Sequence, residues 1–177
     1  MKFYLPHIVK NISHKDSVEL LFVDAWERIE LKNYVESQGF KYLFASKARR
    51  SGQCNLGAKA AAGSTYFFLH VDSEPPKRYD EIICDAVKDG FEAGSFKLKF
   101  DSSSKFLSAF AWFTQFKWSI ARGGDQGLFV KKDVFEAIGG YKNAWQIMED
   151  VDIARMILLR RKFAILKHAL ITSSRKY

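Results

Sequence analysis

Along the chain, short apolar runs alternate with segments of helical period. Val18-Glu19-Leu20-Leu21-Phe22-Val23 is nearly continuous in apolar residues and predicts a buried, parallel-type strand ending at Asp24. A helix is expected near Glu27–Gln38, stopped by Gly39, and then a short strand over Lys41–Ala45. Cys54–Ala62 is Ala-rich and reads as a helix closing at Gly63, and Thr65–Val71 is a strongly apolar strand. Pro75-Pro76 forces a break before a helix over Tyr79–Lys88 that ends near Gly90. Ala93–Phe100 alternates as a strand, and Phe106–Trp118 reads as an aromatic helix that is apolar almost all round. Leu128–Lys131 is a strand, and Asp133–Ile138 a short helix with Asp133 and Glu136 in capping-box spacing before Gly139-Gly140. Met148–Arg160 and Phe163–Ile171 complete the pattern as a helix and a strand.

Strands that alternate with helices predict an α/β layered domain with a largely parallel sheet. In such sheets ligands sit beyond the carboxyl ends of the strands. Asp24 and Asp72 both fall at predicted strand ends, so one cleft could receive both.

Composition adds bounds. The 177 residues suffice for one domain with a core, and a hydrophobic fraction of 47% is that of a globular protein. Two cysteines, Cys54 and Cys84, make neither a disulfide framework nor a zinc spacing and read as reduced core or near-core residues. No stretch approaches the roughly 20 apolar residues of a membrane span, and no signal peptide is visible, so a cytoplasmic location is the expectation. The net charge of +8 suits a phosphate-rich ligand or an anionic membrane surface about equally. Its spread along the chain argues against a dedicated nucleic-acid groove.

Four groups of residues could carry chemistry. His70 and Asp72, delivered by an apolar strand at i and i+2, can share a face and hold a divalent cation together with a diphosphate. A surface turn with a packed His and an ordinary Asp fits the same spacing. Glu149-Asp150 begins a helix, where the dipole favours acids; capping explains the pair as well as a general base does. Arg49-Arg50-Ser51-Gly52-Gln53-Cys54-Asn55 places two guanidinium groups before a helix N-terminus, which suits phosphate or simply a solvated basic loop. Gly123-Gly124-Asp125-Gln126-Gly127 offers close backbone approach and two side chains able to read hydroxyls; a polar turn looks the same. The aromatic helix Phe106–Trp118 reads as core, though an interfacial helix facing lipid has the same composition.

Together these runs resemble family 2 glycosyltransferases, in particular the small bacterial branch described as radical-SAM/selenodomain-associated transferases. The likeness is carried in order by R-S-G-Q-C-N-L-G-A-K-A-A-A-G-S-T-Y-F-F-L-H-V-D-S, G-G-D-Q-G-L-F-V-K-K-D-V-F-E-A-I-G-G-Y, I-M-E-D-V-D-I-A-R and T-S-S-R-K-Y, and it covers most of the chain from about Val18 onward. The resemblance implies a GT-A fold: a three-layer α/β/α domain with a mostly parallel mixed sheet. It would be a single domain over residues 1–177, with a donor-binding half to about residue 100 and an acceptor-binding half after it. It also implies transfer of a sugar from a nucleotide-diphosphate donor to an acceptor hydroxyl, with Mn²⁺ or Mg²⁺, in a single inverting step.

Residue by residue, the resemblance puts His70-Val71-Asp72 at the family's D-x-D position, so His70 and Asp72 would hold the metal and Asp72 would also meet the donor. Asp24 falls at the acid that contacts the base or ribose. Arg50, Gln53 and Asn55 match a donor-side loop. Asp150, with Glu149 beside it, matches the general base, and Asp125 with Gln126 an acceptor-side motif. Three departures stand out. The family's first strand is not matched, and Leu5–Ile12 corresponds to the helix after it, which makes the domain N-terminally truncated relative to the family. The resulting sheet edges would need cover from the N-terminus or from a second copy of the chain. Asp24 is followed by Ala25-Trp26-Glu27-Arg28 instead of a small glycine loop. The basic C-terminal helices of the family are not matched, which leaves peripheral membrane contact with less support. An impaired transferase domain that serves as a binding or oligomerising module is the competing expectation; a nucleic-acid-binding domain is remote.

Overall fold

A computed structural model describes residues 5–46, 49–102, 126–142, 149–159 and 161–174. The predicted aromatic helix and Asp125 lie outside them. Two groups of strands form. β1 (Leu21–Asp24) and β2 (Lys41–Phe44) pair in parallel, with Asp24 opposite Phe44. The second sheet contains β3 (Thr65–Phe68), β4 (Ser73–Glu74), β5 (Ala93–Phe100), β6 (Leu128–Lys131) and β7 (Phe163–Thr172), in the order β3-β6-β5-β7-β4. β3, β5 and β7 run one way, while β6 and β4 run the other, so the sheet is mixed. Among the described residues both strands of the pair are edges, and β3 and β4 are the edges of the five-stranded sheet.

The helices are α1 (Leu5–Lys10), α2 (Ile29–Ser37), α3 (Arg50–Ala60), α4 (Tyr79–Lys88), α5 (Lys132–Ala137) and α6 (Glu149–Leu158). α1 and α4 lie on one face of the five-stranded sheet and α3, α5 and α6 on the other, while α2 packs beside β2. Successive strand residues point to opposite faces, and the core divides accordingly. Tyr66, Ala93, Val130 and Phe163 pack with Ala58 of α3, Val134 and Phe135 of α5, and Ile153 and Ile157 of α6. Their strand neighbours Phe96, Phe129, Ala164 and Leu170 pack on the other side with Ile8 of α1 and Tyr79, Ile83 and Ala86 of α4. This is the three-layer α/β/α arrangement. α4 shows the pattern most plainly: its buried residues recur at helical spacing, acids occupy its first turn, and Lys88 its last.

Several expected boundaries move. β3 stops at Phe68 and not at Val71, because its last partner is Leu128 and Gly127 before it adopts φ 64°, which ends the ladder. α3 begins at Arg50, four residues early, despite Gly52; Ser51 there is 2% exposed, and tertiary packing outweighs the roughly 1 kcal/mol helix penalty of one glycine. The capping box does not form. α5 starts at Lys132, so Asp133 lies inside the first turn, where its Oδ1 accepts from the Val134 N–H at 2.9 Å. Cys84 is exposed on α4, not near-core, and Cys54 is half-buried; neither forms a disulfide.

Candidate functional site

Four of the polar residues singled out above fall in two corners, Arg50, His70 and Asp72 in one and Asp24 in the other. The first is at the end of β3. The chain leaves the strand at Phe68 and turns, with the Ser73 N–H donating to the His70 carbonyl at 3.1 Å. The Asp72 carbonyl accepts from the Ser173 N–H at 3.2 Å, which ties the turn to the end of β7. His70 and Asp72 therefore flank a turn and do not share a strand face; His70 Nδ1 is 4.0 Å from Asp72 Oδ1, too long for a hydrogen bond. Arg50, the first residue of α3, reaches across 20 positions and donates from Nη2 to His70 Nδ1 at 3.2 Å. A guanidinium has no acceptor, so the imidazole must accept at Nδ1 and carry its proton on Nε2. In that tautomer His70 offers no lone pair to a metal while the contact lasts.

The chemistry of this corner is clear from its parts. A guanidinium at a helix N-terminus, an imidazole and a carboxylate, the last with side-chain exposure of 21%, face one turn. Such a set suits a diphosphate bridged to a hard cation, where substrate oxygens supply most ligands and the protein one carboxylate. Among the described residues no group of three or more His, Cys, Asp or Glu side chains could hold a metal alone. Asp72 fits the cation; His70 fits it only with Arg50 displaced.

The second corner is at the end of β1. Asp24 is 5% exposed. Arg28 grips it with both ends of its guanidinium, Nε to Oδ2 at 2.8 Å and Nη2 to Oδ1 at 2.7 Å. The Trp26 N–H and the Tyr42 hydroxyl, each at 3.3 Å, add to Oδ1 and Oδ2. Burial alone would push this carboxyl up, but Arg28, Trp26 and Tyr42 outweigh it and hold it below the usual carboxylate value. Trp26 and Arg28 stood out in the sequence only as replacing a small glycine loop, and Tyr42 not at all. Asp24 ends β1 and Arg28 precedes α2, so no helical or strand periodicity relates the two and the ion pair had no local signal.

The other expected residues are distributed as follows. Gln53 is one helical turn beyond Arg50 and half-buried. Asn55 is engaged elsewhere: its Nδ2 donates to the Tyr141 carbonyl at 2.8 Å and its Oδ1 accepts from the Tyr141 N–H at 2.9 Å. It joins α3 to the turn after α5. Gln126 is 2% exposed and accepts from Ser95 Oγ at 3.5 Å, inside the sheet. Glu149 and Asp150 open α6, as the helix expectation had them.

Comparison with solved structures identifies the architecture. A mannosyltransferase from Pyrobaculum calidifontis, PcManGT in complex with GDP-Man and Mn²⁺, aligns over 99% of this chain with a TM-score of 0.73 at 15% identity. The S. aureus TarS fragment 1–349 in complex with UDP-GlcNAc aligns over 98% with a TM-score of 0.75 at 13% identity. The chain has the GT-A glycosyltransferase fold. At these identities the likeness concerns the fold alone. The GT-A chain described here spans 54% of the length of each of those two proteins. No family model matches it, and no curated protein matches it in sequence. Among the described residues no helix is long and apolar enough to cross a membrane.

Proposed function

We propose that this GT-A domain binds a nucleotide-diphospho-sugar with Mn²⁺ or Mg²⁺ and passes the sugar to an acceptor hydroxyl with inversion. The observation that carries this reading is the convergence of Arg50, His70 and Asp72 at the end of β3. The GT-A neighbours include complexes with GDP-Man and Mn²⁺ and with UDP-GlcNAc, which supports the same class of donor. Asp72 would hold the cation, which neutralises charge on the departing diphosphate when bound. Arg50 would bind the diphosphate oxygens through its guanidinium and the α3 N-terminus. Asp150, at the start of α6, would take the proton from the acceptor hydroxyl as its oxygen attacks the anomeric carbon and the diphosphate leaves. Glu149 and Gln53 would support these two ends, and Asp125 would flank the acceptor.

The test is thermal stability in Mn²⁺ with UDP or GDP. A nucleotide at one hundred times its Kd should raise stability by about 2.7 kcal/mol, and only with metal present. Asp72→Asn should lose that metal dependence. Asp150→Asn should keep donor binding and lose transfer. No response to any nucleotide would favour the second reading, a binding or oligomerising module, which the closure of Asp24 by Arg28 supports.

A further inference from the structure

In the donor reading Asp24 would meet the base or ribose, as the family resemblance implies, and the structure shows what that carboxylate already holds. Oδ1 accepts from Arg28 Nη2 and the Trp26 N–H; Oδ2 accepts from Arg28 Nε and the Tyr42 hydroxyl. An ionised carboxylate offers about four acceptor positions, so four donors from the same chain occupy it. A ribose hydroxyl or a base N–H arriving there meets a filled site. The two sides of the pair differ in freedom. The Asp24 side chain is 6% exposed and fixed at a strand end, whereas Arg28 is 53% exposed, in the turn before α2, with room to swing into solvent.

We propose that Arg28 is a specificity-determining latch on the nucleoside end of the donor pocket. Closed, its guanidinium takes the acceptor atoms of Asp24. Open, it yields them to the ribose or base of a nucleoside diphosphate. The proposal rests on the donor reading above and adds to it a residue that acts on one end of the ligand only. Arg50, His70 and Asp72 belong to different elements, so the latch opposes binding of the nucleoside and leaves binding of the diphosphate unchanged. An ion pair with one partner in solvent is worth up to about 1 kcal/mol, which corresponds to about fivefold in affinity.

The experiment is calorimetric titration of the chain with UDP, GDP and inorganic pyrophosphate, each with Mn²⁺, for wild type, Arg28→Ala and Arg28→Lys. Pyrophosphate probes the phosphate end alone. Arg28→Ala should bind at least one nucleoside diphosphate about fivefold more tightly with pyrophosphate affinity unchanged, and Arg28→Lys, which cannot bind bidentately, should fall between. Nucleoside diphosphate affinity that is unchanged or weakened in Arg28→Ala overturns the latch while pyrophosphate binding keeps the donor reading. Equal tightening for pyrophosphate also overturns it. Absence of binding by all three ligands in every protein removes the donor reading and the latch with it. If Arg28→Ala does not fold, as judged by its melt without ligand, Arg28→Lys and Arg28→Gln carry the same comparison.

Discussion

Asn55 offers a sharp test of how α3 is joined to the C-terminal part of the chain. Its side-chain amide forms two hydrogen bonds with the backbone of one residue, Tyr141, 86 positions away. The fit is close: a Cβ on Gly140, which adopts φ 67°, would lie 2.8 Å from Asn55 Oδ1. Asn55→Ala removes both bonds. At about 1 kcal/mol each the loss is about 2 kcal/mol, which for a chain of this size lowers Tm by about 4–8 °C. Asn55→Asp is more telling. One oxygen still accepts from the Tyr141 N–H, but the other now meets the Tyr141 carbonyl, acceptor against acceptor. A proton on that oxygen would restore the second bond, so folding raises the carboxyl above its unfolded value of about 3.9. Its stabilising bond is then fully present below the unfolded pKa and lost as pH rises through the folded one. Asn55→Asp should melt below Asn55→Ala at pH 7 and gain on it as the pH approaches 4. Circular-dichroism melts across that range decide it. An Asn55→Ala protein that melts with wild type, or a gap between the two variants that ignores pH, would refute the pairing.

Two further predictions concern the framework of the site. Gly94 sits on β5 between β6 and β7, and a Cβ there would lie 2.4 Å from Phe129 Cε1 and 2.5 Å from the Ala164 carbonyl oxygen. Because a backbone atom cannot step aside, Gly94→Ala should cost about 3 kcal/mol, and a thermal melt at the wild-type temperature would contradict this packing. Asp24 is held below its usual value because Arg28, Trp26 and Tyr42 outweigh its burial, so its stabilisation is present above the unfolded pKa of about 3.9 and disappears as pH falls through the lower folded value; the stability difference between wild type and Asp24→Asn, from denaturant titrations, should therefore shrink below pH 4.

Local pattern made much of the framework legible. β5, β6 and α4 fall where their apolar runs and breakers place them, because each is fixed by its own residues: alternation or continuous burial in the strands, helical spacing and a terminal glycine in α4. What escaped depends on distant partners. The strongly apolar run Thr65–Val71 predicts a strand through Val71, yet the length of β3 is set by where β6 begins, at Leu128. The two-residue β4 exists because Ser73 and Glu74 meet Thr172 and Ile171 of β7, a pairing with no local signature. The site divides in the same way. The Asp24 strand end and the His70–Asp72 turn were visible as polar residues after apolar runs, whereas the grip of Arg28 on Asp24 spans a turn and left no periodic trace. Arg50 on His70 and Asn55 on Tyr141 join residues that no periodicity relates. Gln126 looked like a hydroxyl reader in a glycine turn, but its position beside β6 buries it against Ser95.

The separation of β1 and β2 from the five-stranded sheet has a mechanical consequence. The links between the pair and the rest of the molecule include Glu19, which accepts from Lys41 Nζ at 2.6 Å and from the Ala62 N–H at 2.8 Å, Leu20, which packs against the core beside α1 and α4, and the close pass of α3, where a Cβ on Gly57 would sit 3.2 Å from Val23 Cγ2. A ladder that runs unbroken across a sheet opens as one cooperative unit, whereas side-chain clasps and a helix contact can give way separately. The backbone amides of β1 and β2 thus have a route to solvent that leaves the larger sheet intact, and the Asp24 corner rides on the part of the fold that is free to breathe on its own.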